Sequence, residues 1–318
     1  MPPTLRRTET LDRLSHLRAN TEEIEKLYRS TESRFLIVIA GRPVISSNEP
    51  QTQARLKWKT YDDVGPLITD GAQWALLGQD SKTGHTYFTL FLSDTDLETA
   101  VNDTNTSPRD SLFHPAVDLR SLATQGIISP EEQSLAGQAT ALANWHANTR
   151  CCGRCGGTTK SDQAGWRRSC WACGAVMFPR MDPAVIMLVT DGTRAVLAHE
   201  PRFPDGMYST LAGFVEPGDD VEHAVKRETF EEIGLVIKNV ELLSTQPWPF
   251  PHSLMLGCIA HADPGELRPD QEEIEDARWF TRDELRHMQN ATHPDGLWIP
   301  GPQSIANALI MHFLNELD

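Results

Sequence analysis

Glu228, Glu231 and Glu232 are the residues of this chain whose types and spacing most directly imply chemistry. On a helix they fall at i, i+3 and i+4 and share one face. Three carboxylates so placed repel one another, so the arrangement favours a cation between them, and oxygen donors at this density suit Mg²⁺ or Mn²⁺. A solvated acidic helix face is the competing reading. Arg227, adjacent to the group, reads as the cation that orients the glutamates, with a simple surface ion pair as its alternative.

The helix that must carry these residues has local boundaries. Pro217-Gly218 is a turn signal, Asp219 is placed to act as N-cap with Glu222 as its capping-box partner, and Gly234 is placed to end the helix. Ala224, Val225, Phe230 and Ile233 supply an apolar side.

The order Gly213, five residues, Asp219, seven residues, then Arg227-Glu228-x-x-Glu231-Glu232-x-Gly234-Leu235 resembles the signature of the Nudix hydrolases. Two positions depart from it. Asp219 stands where the family has Glu, and Thr229 stands at a position that is usually apolar.

Four of the six cysteines form Cys152-x-x-Cys155, fourteen residues, then Cys170-x-x-Cys173. Each pair is followed by a glycine, Gly156 or Gly174, which lets backbone amides turn toward the thiolates of a tetrahedral Zn²⁺. Two disulfides are the alternative, and a reducing compartment disfavours them. Cys258 lies in an apolar segment and is expected to be buried; Cys151 sits next to a ligand and competes with it for assignment.

At 318 residues the chain has material for two domains and a small third module, and 39% hydrophobic residues with eight Trp fit a folded protein. No run of about 18 apolar residues occurs, so no membrane span is expected. Residues 1–29 have no apolar core of the kind a secretory signal carries, which makes the cytoplasm the expected compartment. A formal charge of −15 argues against broad binding to a nucleic-acid backbone, though not against recognition of one nucleotide at an RNA end. An acidic enzyme acting on an anion must neutralise its own site, and a divalent cation on the glutamates would do so.

Short apolar runs at residues 35–40, 74–78 and 87–92 read as strands, and residues 129–148 read as a helix with Leu135, Ala139, Leu142 and Trp145 at helical spacing. No catalytic constellation is visible in this half. Residues 184–189 read as a buried strand, Asp191-Gly192 as a hairpin turn into residues 195–198, residues 240–243 and 254–260 as further strands, and residues 302–317 as a last helix. The expected fold class is α/β: a Nudix-type α/β/α sandwich over 180–318, preceded by a β-rich N-terminal domain over 1–146 and a small zinc ribbon over 147–179.

Thr245-Gln246-Pro247-Trp248-Pro249-Phe250-Pro251-His252-Ser253 is the second unusual segment. Its prolines fix the backbone around two aromatic rings, so little freedom is left to lose on binding; a rigid loop packed on the core is the plainer reading. Downstream of the Nudix signature it resembles the Ser-Gln-Pro-Trp-Pro-Phe-Pro-x-Ser motif of the NADH pyrophosphatase branch, with Thr245 for the first Ser.

The resemblance covers the cysteine module and everything after it, a little over half the chain. It implies a homodimer that splits the pyrophosphate of NAD(H) into nicotinamide mononucleotide and AMP, and that acts on NAD caps at RNA 5′ ends. It places the Mg²⁺ or Mn²⁺ on Glu228, Glu232, Glu273 and the carbonyl of Ala212, with Glu231 holding metal or assisting water. Glu272 is the neighbour most easily mistaken for Glu273. Beyond residues 246–253, the resemblance gives Phe214 a stacking role on a ring of the dinucleotide and Ala306 a backbone contact. Phe178 stands where relatives have Tyr, so a hydroxyl contact to substrate is expected to be missing. A Nudix hydrolase of another nucleoside diphosphate such as ADP-ribose, and a non-catalytic zinc protein that binds nucleotide, are the two competing functions.

Overall fold

The computed structural model describes residues 10–47, 54–67, 73–92, 117–124 and 127–316. It divides into two compact units, one of Met181–Trp248 and His252–Asp318, the other of Arg6–Arg180 with Pro249–Pro251.

In the N-terminal unit the elements run β1 (Leu11–Asp12), α1 (Thr21–Tyr28), β2 (Ser33–Ile39), β3 (Arg42–Pro43), β4 (Ile45–Ser47), β5 (Ala54–Leu56), β6 (Trp58–Lys59), α2 (Tyr61–Val64), β7 (Gln73–Asp80) and β8 (Thr86–Leu92). Helices α3 (Leu119–Thr124) and α4 (Pro130–Asn148) follow, then the ribbon strands β9 (Thr159–Asp162), β10 (Arg167–Cys170) and β11 (Val176–Met177). The main sheet has the order β1-β7-β8-β2-β3, with β6 also on β2. Side chains alternate along β2: Leu36 and Val38 join a core with Leu135, Ala139 and Leu142 of α4, while Phe35, Ile37 and Ile39 join a second core with Ile24 and Tyr28 of α1. Helix α4 starts as its sequence indicates, with Ser129 accepting from the Glu132 N–H and Pro130 in the first turn.

The C-terminal unit contains β12 (Asp182–Thr190), β13 (Arg194–His199), β14 (Leu211–Phe214), α5 (Val221–Ile233), β15 (Ile237–Trp248), β16 (Ser253–Ala262), β17 (Asp276–Thr281), α6 (Arg282–Gln289) and α7 (Ile305–Asn315). Its mixed sheet has the order β15-β16-β12-β13-β17, with β14 on β12. The period-two rule makes it a sandwich. Val185, Met187 and Val189 of β12 pack with Ala224, Val225 and Ile233 of α5, whereas Ile186 and Leu188 pack with Leu285 of α6 and Leu309, Ile310 and Phe313 of α7. The expected α/β/α architecture is present. Strand β15 is longer than residues 240–243 and carries the motif from Thr245 to Trp248 as its end, paired with β16. The last helix is shorter than expected, Ile305–Asn315; Leu317 and residues 1–9 of the N-terminal segment lie outside the described residues.

Two local expectations need correction. The N-cap of α5 is Asp220, whose side chain accepts from the His223 N–H, and Asp219 is used elsewhere. Phe230 is exposed rather than part of the apolar side, because it lies about 140° around the helix from Val225. Gly234 ends the helix as expected, in the left-handed conformation at φ 73°.

Candidate active site and zinc centre

Strand β14 and helix α5 bring the acidic group together. Gly213 is opposite Val185 in the sheet, and a Cβ on it would overlap the Glu228 carboxylate, so only glycine lets the strand approach the helix this closely. Arg227 gathers the surrounding groups. Its Nη1 donates to Glu228 at 2.9 Å and to Glu231 at 3.0 Å; its Nη2 donates to Asp219 at 2.9 Å and to the Phe214 carbonyl at 2.8 Å. Nε adds a second bond to Asp219 at 3.2 Å, and this guanidinium holds the Asp219 carboxyl below the usual carboxylate range. Asp219 therefore serves Arg227, which positions two of the three glutamates.

Glu232 is the most deeply placed of the three, only 5% exposed, and its Oε2 has no hydrogen-bond partner. Burial, then the charges of Glu228, Glu200, Glu273 and Asp270, push its pKa up to about 9. Burial also raises Glu228 against the pull of Arg227, with Glu231 and Glu273 adding to the rise. Glu231 is open, with 57% of its side chain exposed.

Glu273 reaches this group through the C-terminal end of the helix. The Glu232 and Ile233 carbonyls, left over where α5 stops, accept the N–H groups of Asp270 and Arg268. Asp270 Oδ1 in turn accepts from the N–H groups of Glu272, Glu273 and Ile274, and Ile274 is buried in the α5-side core. The loop is thus fixed at both ends, and the charge of Glu273 bears on both Glu228 and Glu232. Glu200 and Asp270 also act on Glu232 and were missed from sequence, since neither lies in a motif and only the fold brings them near.

An orphaned buried carboxylate oxygen, a glycine cleared for a second carboxylate and an all-oxygen donor set fit a hard divalent cation. Ala212 lies in β14 opposite Ile186, one residue before Gly213.

The remaining named positions are dispersed. Phe214 is 58% exposed. Gln246 is buried, and both ends of its amide are used within the fold: Nε2 donates to the Gln303 carbonyl and Oε1 accepts the Ile305 N–H, each at 2.8 Å. Its amide is committed to holding the start of α7 rather than facing a ligand. Ala306 is in that first turn; Ser304 accepts from Asn307 and Gln246 serves Ile305, so among the described residues the Ala306 N–H is the first-turn donor with no partner. Trp248 and Ser253 are half-buried partners across β15 and β16, Pro247 is exposed and opposite Leu254, and His252 Nδ1 lies 3.3 Å from Asp182. Pro249, Phe250 and Pro251 belong to the N-terminal unit, where Phe250 packs on the α4-side core. Phe178, 60% exposed, is also in that unit.

The four cysteines of the ribbon converge, with their sulfurs all within 4.8 Å of one another. Cys152 and Cys173 are 3.8 Å apart and Cys155 and Cys170 are 3.5 Å apart, far beyond a disulfide bond and close to the edge of a tetrahedron with Zn–S arms of about 2.3 Å. Gly156 and Gly174, at φ 73° and 70°, return N–H groups to the Cys152 and Cys170 carbonyls and close the two knuckles. Backbone N–H groups around Cys170 hold its thiol down to about 7, a thiolate suited to a metal. Cys258 is buried and Cys151 is exposed. Behind the ribbon, the buried His146 takes Nδ1 to Arg168 at 2.8 Å and Nε2 to the Gly165 carbonyl at 2.9 Å; burial lowers its pKa to about 4, so it is a neutral brace between α4 and β10.

The NUDIX domain family matches residues 180–300. The chain is 40% identical over 197 residues to the NAD-capped RNA hydrolase NUDT12 of Macaca fascicularis, covering 59% of this chain and 43% of the relative. It is 46% identical over 202 residues to the NAD-capped RNA hydrolase NudC of Mycobacterium bovis, covering 61% of this chain and 64% of the relative. The chain therefore spans about half the length of such relatives. Among solved structures, a NUDIX hydrolase from Nitrosomonas europaea aligns with 43% of this chain and 80% of its own, at 20% identity and a TM-score of 0.39. The helix, its glycine and its carboxylates all lie within residues 180–300, the segment that matches the NUDIX domain family.

Proposed function

We propose that the chain is a metal-dependent diphosphatase that splits NAD(H) into nicotinamide mononucleotide and AMP and removes NAD caps from RNA 5′ ends. The observation that carries this reading is the buried, unpartnered Glu232 carboxylate beside Glu228, in a chain whose relatives are NAD-capped RNA hydrolases. Glu228, Glu232, Glu273 and the Ala212 carbonyl would hold Mg²⁺ or Mn²⁺, with Glu231 as a further ligand or as the group that takes a proton from water. The bound cation supplies neutralisation of the pyrophosphate oxygens and a more acidic water. Arg227 keeps Glu228 and Glu231 aligned, and the exposed Phe214 ring and the Ala306 N–H offer a stacking face and a donor to a dinucleotide. Trp248 and the flanking residues Pro247, His252 and Ser253 line the end of β15 and β16 from which such a substrate would be approached; a direct role for Gln246 is set aside. The cysteine cluster takes structural Zn²⁺. The working domain boundaries are 1–146, 147–179 and 180–318, in a cytoplasmic homodimer.

Incubation with NADH and Mg²⁺ or Mn²⁺ should yield the two mononucleotides, and ¹⁸O-labelled water should mark the attacked phosphorus. Absence of both products with either metal would overturn the reading, and faster cleavage of ADP-ribose than of NADH would replace the substrate.

A further inference from the structure

The zinc ribbon is the basic part of an acidic chain. Residues 149–180 contain Arg150, Arg154, Lys160, Arg167, Arg168 and Arg180 against a single acid, Asp162, within a protein of formal charge −15. Four thiolates around one Zn²⁺ subtract two charges and still leave the module basic. Two of the cations are committed internally: Arg168 is buried against Thr159, Gln73 and His146, and Arg167 neutralises Asp162 at 2.6 Å. Arg150, Arg154 and Lys160 are exposed.

The register of the ribbon gathers one of these cations with apolar surface. Val176, Ser169 and Lys160 stand in one row across β11, β10 and β9, on the face opposite the inward-pointing Arg168 and Cys170. Trp171 follows directly after β10 and is 68% exposed, with Lys160 Nζ 4.0 Å from its ring centroid. An ammonium covers one indole face by cation–π attraction, and the high exposure leaves area for a second planar group. A small sheet that presents an open aromatic ring beside a phosphate-pairing cation, in a basic module, has the composition of a single-strand platform.

We propose that the outer face of the ribbon binds single-stranded RNA, with a base stacked on Trp171 and a phosphate paired to Lys160. The proposal rests on the cap-removing function above, whose substrate is itself an RNA strand.

The test uses the full zinc-loaded chain and an uncapped oligouridine of about ten nucleotides, long enough for a platform of this size. Fluorescence anisotropy should show binding that weakens with salt. Trp171→Ala should weaken it about tenfold, Trp171→Phe should recover most of the loss, and Lys160→Glu should weaken it and flatten the salt dependence. Zinc content and cleavage of free NADH should stay at parent values in all three. If Trp171→Ala sheds zinc, Lys160→Glu and Trp171→Phe still report on the same face. Parent-like affinity in both Trp171→Ala and Lys160→Glu, equal affinity for a duplex, or no binding by the parent at low salt would overturn the platform. Failure to split NADH alongside intact RNA binding would count against the diphosphatase reading alone.

Discussion

Glu232 is held where an ionised carboxylate is costly, and that cost has a measurable sign. Its folded pKa lies near 9, above the ordinary value of 4.5, so its contribution to metal-free stability is full below about pH 4.5 and is lost as pH rises through about 9. Glu232→Gln should therefore leave metal-free thermal stability unchanged at pH 4 and raise it increasingly between pH 5 and pH 8; scanning fluorimetry with chelator reads this. Parallel pH profiles for parent and variant would contradict it. The same variant should lose at least about a hundredfold in NADH cleavage, and added Mg²⁺ should stabilise the parent more than the variant. Gly213→Ala should reach a comparable loss by a different route, by driving the Glu228 carboxylate out of place while the far-ultraviolet circular dichroism stays that of the parent. The three glutamates were legible because helical spacing puts them on one face. The division of labour between Asp219 and Asp220 was not, since two adjacent aspartates offer the same cap chemistry and only the reach of Arg227 decides between them.

At the scale of elements, the site depends on helix ends. The α5 C-terminus supplies two carbonyls that anchor the loop carrying Glu273, and the α7 N-terminus is held by Gln246 from β15. Gln246→Ala should leave a part-buried carbonyl and a buried N–H without partners, a loss of about 2 kcal/mol in urea unfolding. Gln246→Glu, which keeps the acceptor and loses the donor, should be destabilised as well through its buried charge; unchanged midpoints in both would show that water replaces the amide. Strands and helices were readable from apolar periodicity, as β2 and β12 demonstrate. Gln246 was misjudged because a motif displays which residues occur and conceals which way an amide faces. Glu200 and Asp270 left no signal at all: their relation to Glu232 is created by β13 and the loop after β16.

At the scale of the whole molecule, the cysteine module was the most legible part, because its ligands are close in sequence and their spacing alone closes a tetrahedron. Replacement of Cys170 by Ser should abolish stoichiometric zinc in metal analysis and lower the melting temperature, since metal-binding energy here is folding energy. Retention of one zinc per chain would point to Cys151 as a substitute ligand. Less legible was how the chain is shared out between its two compact units. Pro249, Phe250 and Pro251 are encoded in the midst of the segment that matches the NUDIX domain family, yet they fold with the other unit and place Phe250 on its core. A gene cut after codon 180 does not cut between folding units: one fragment loses a ring from its core and the other carries that ring with nothing to bury it. The two halves are thus poor candidates for independent expression or for shuffling into other proteins.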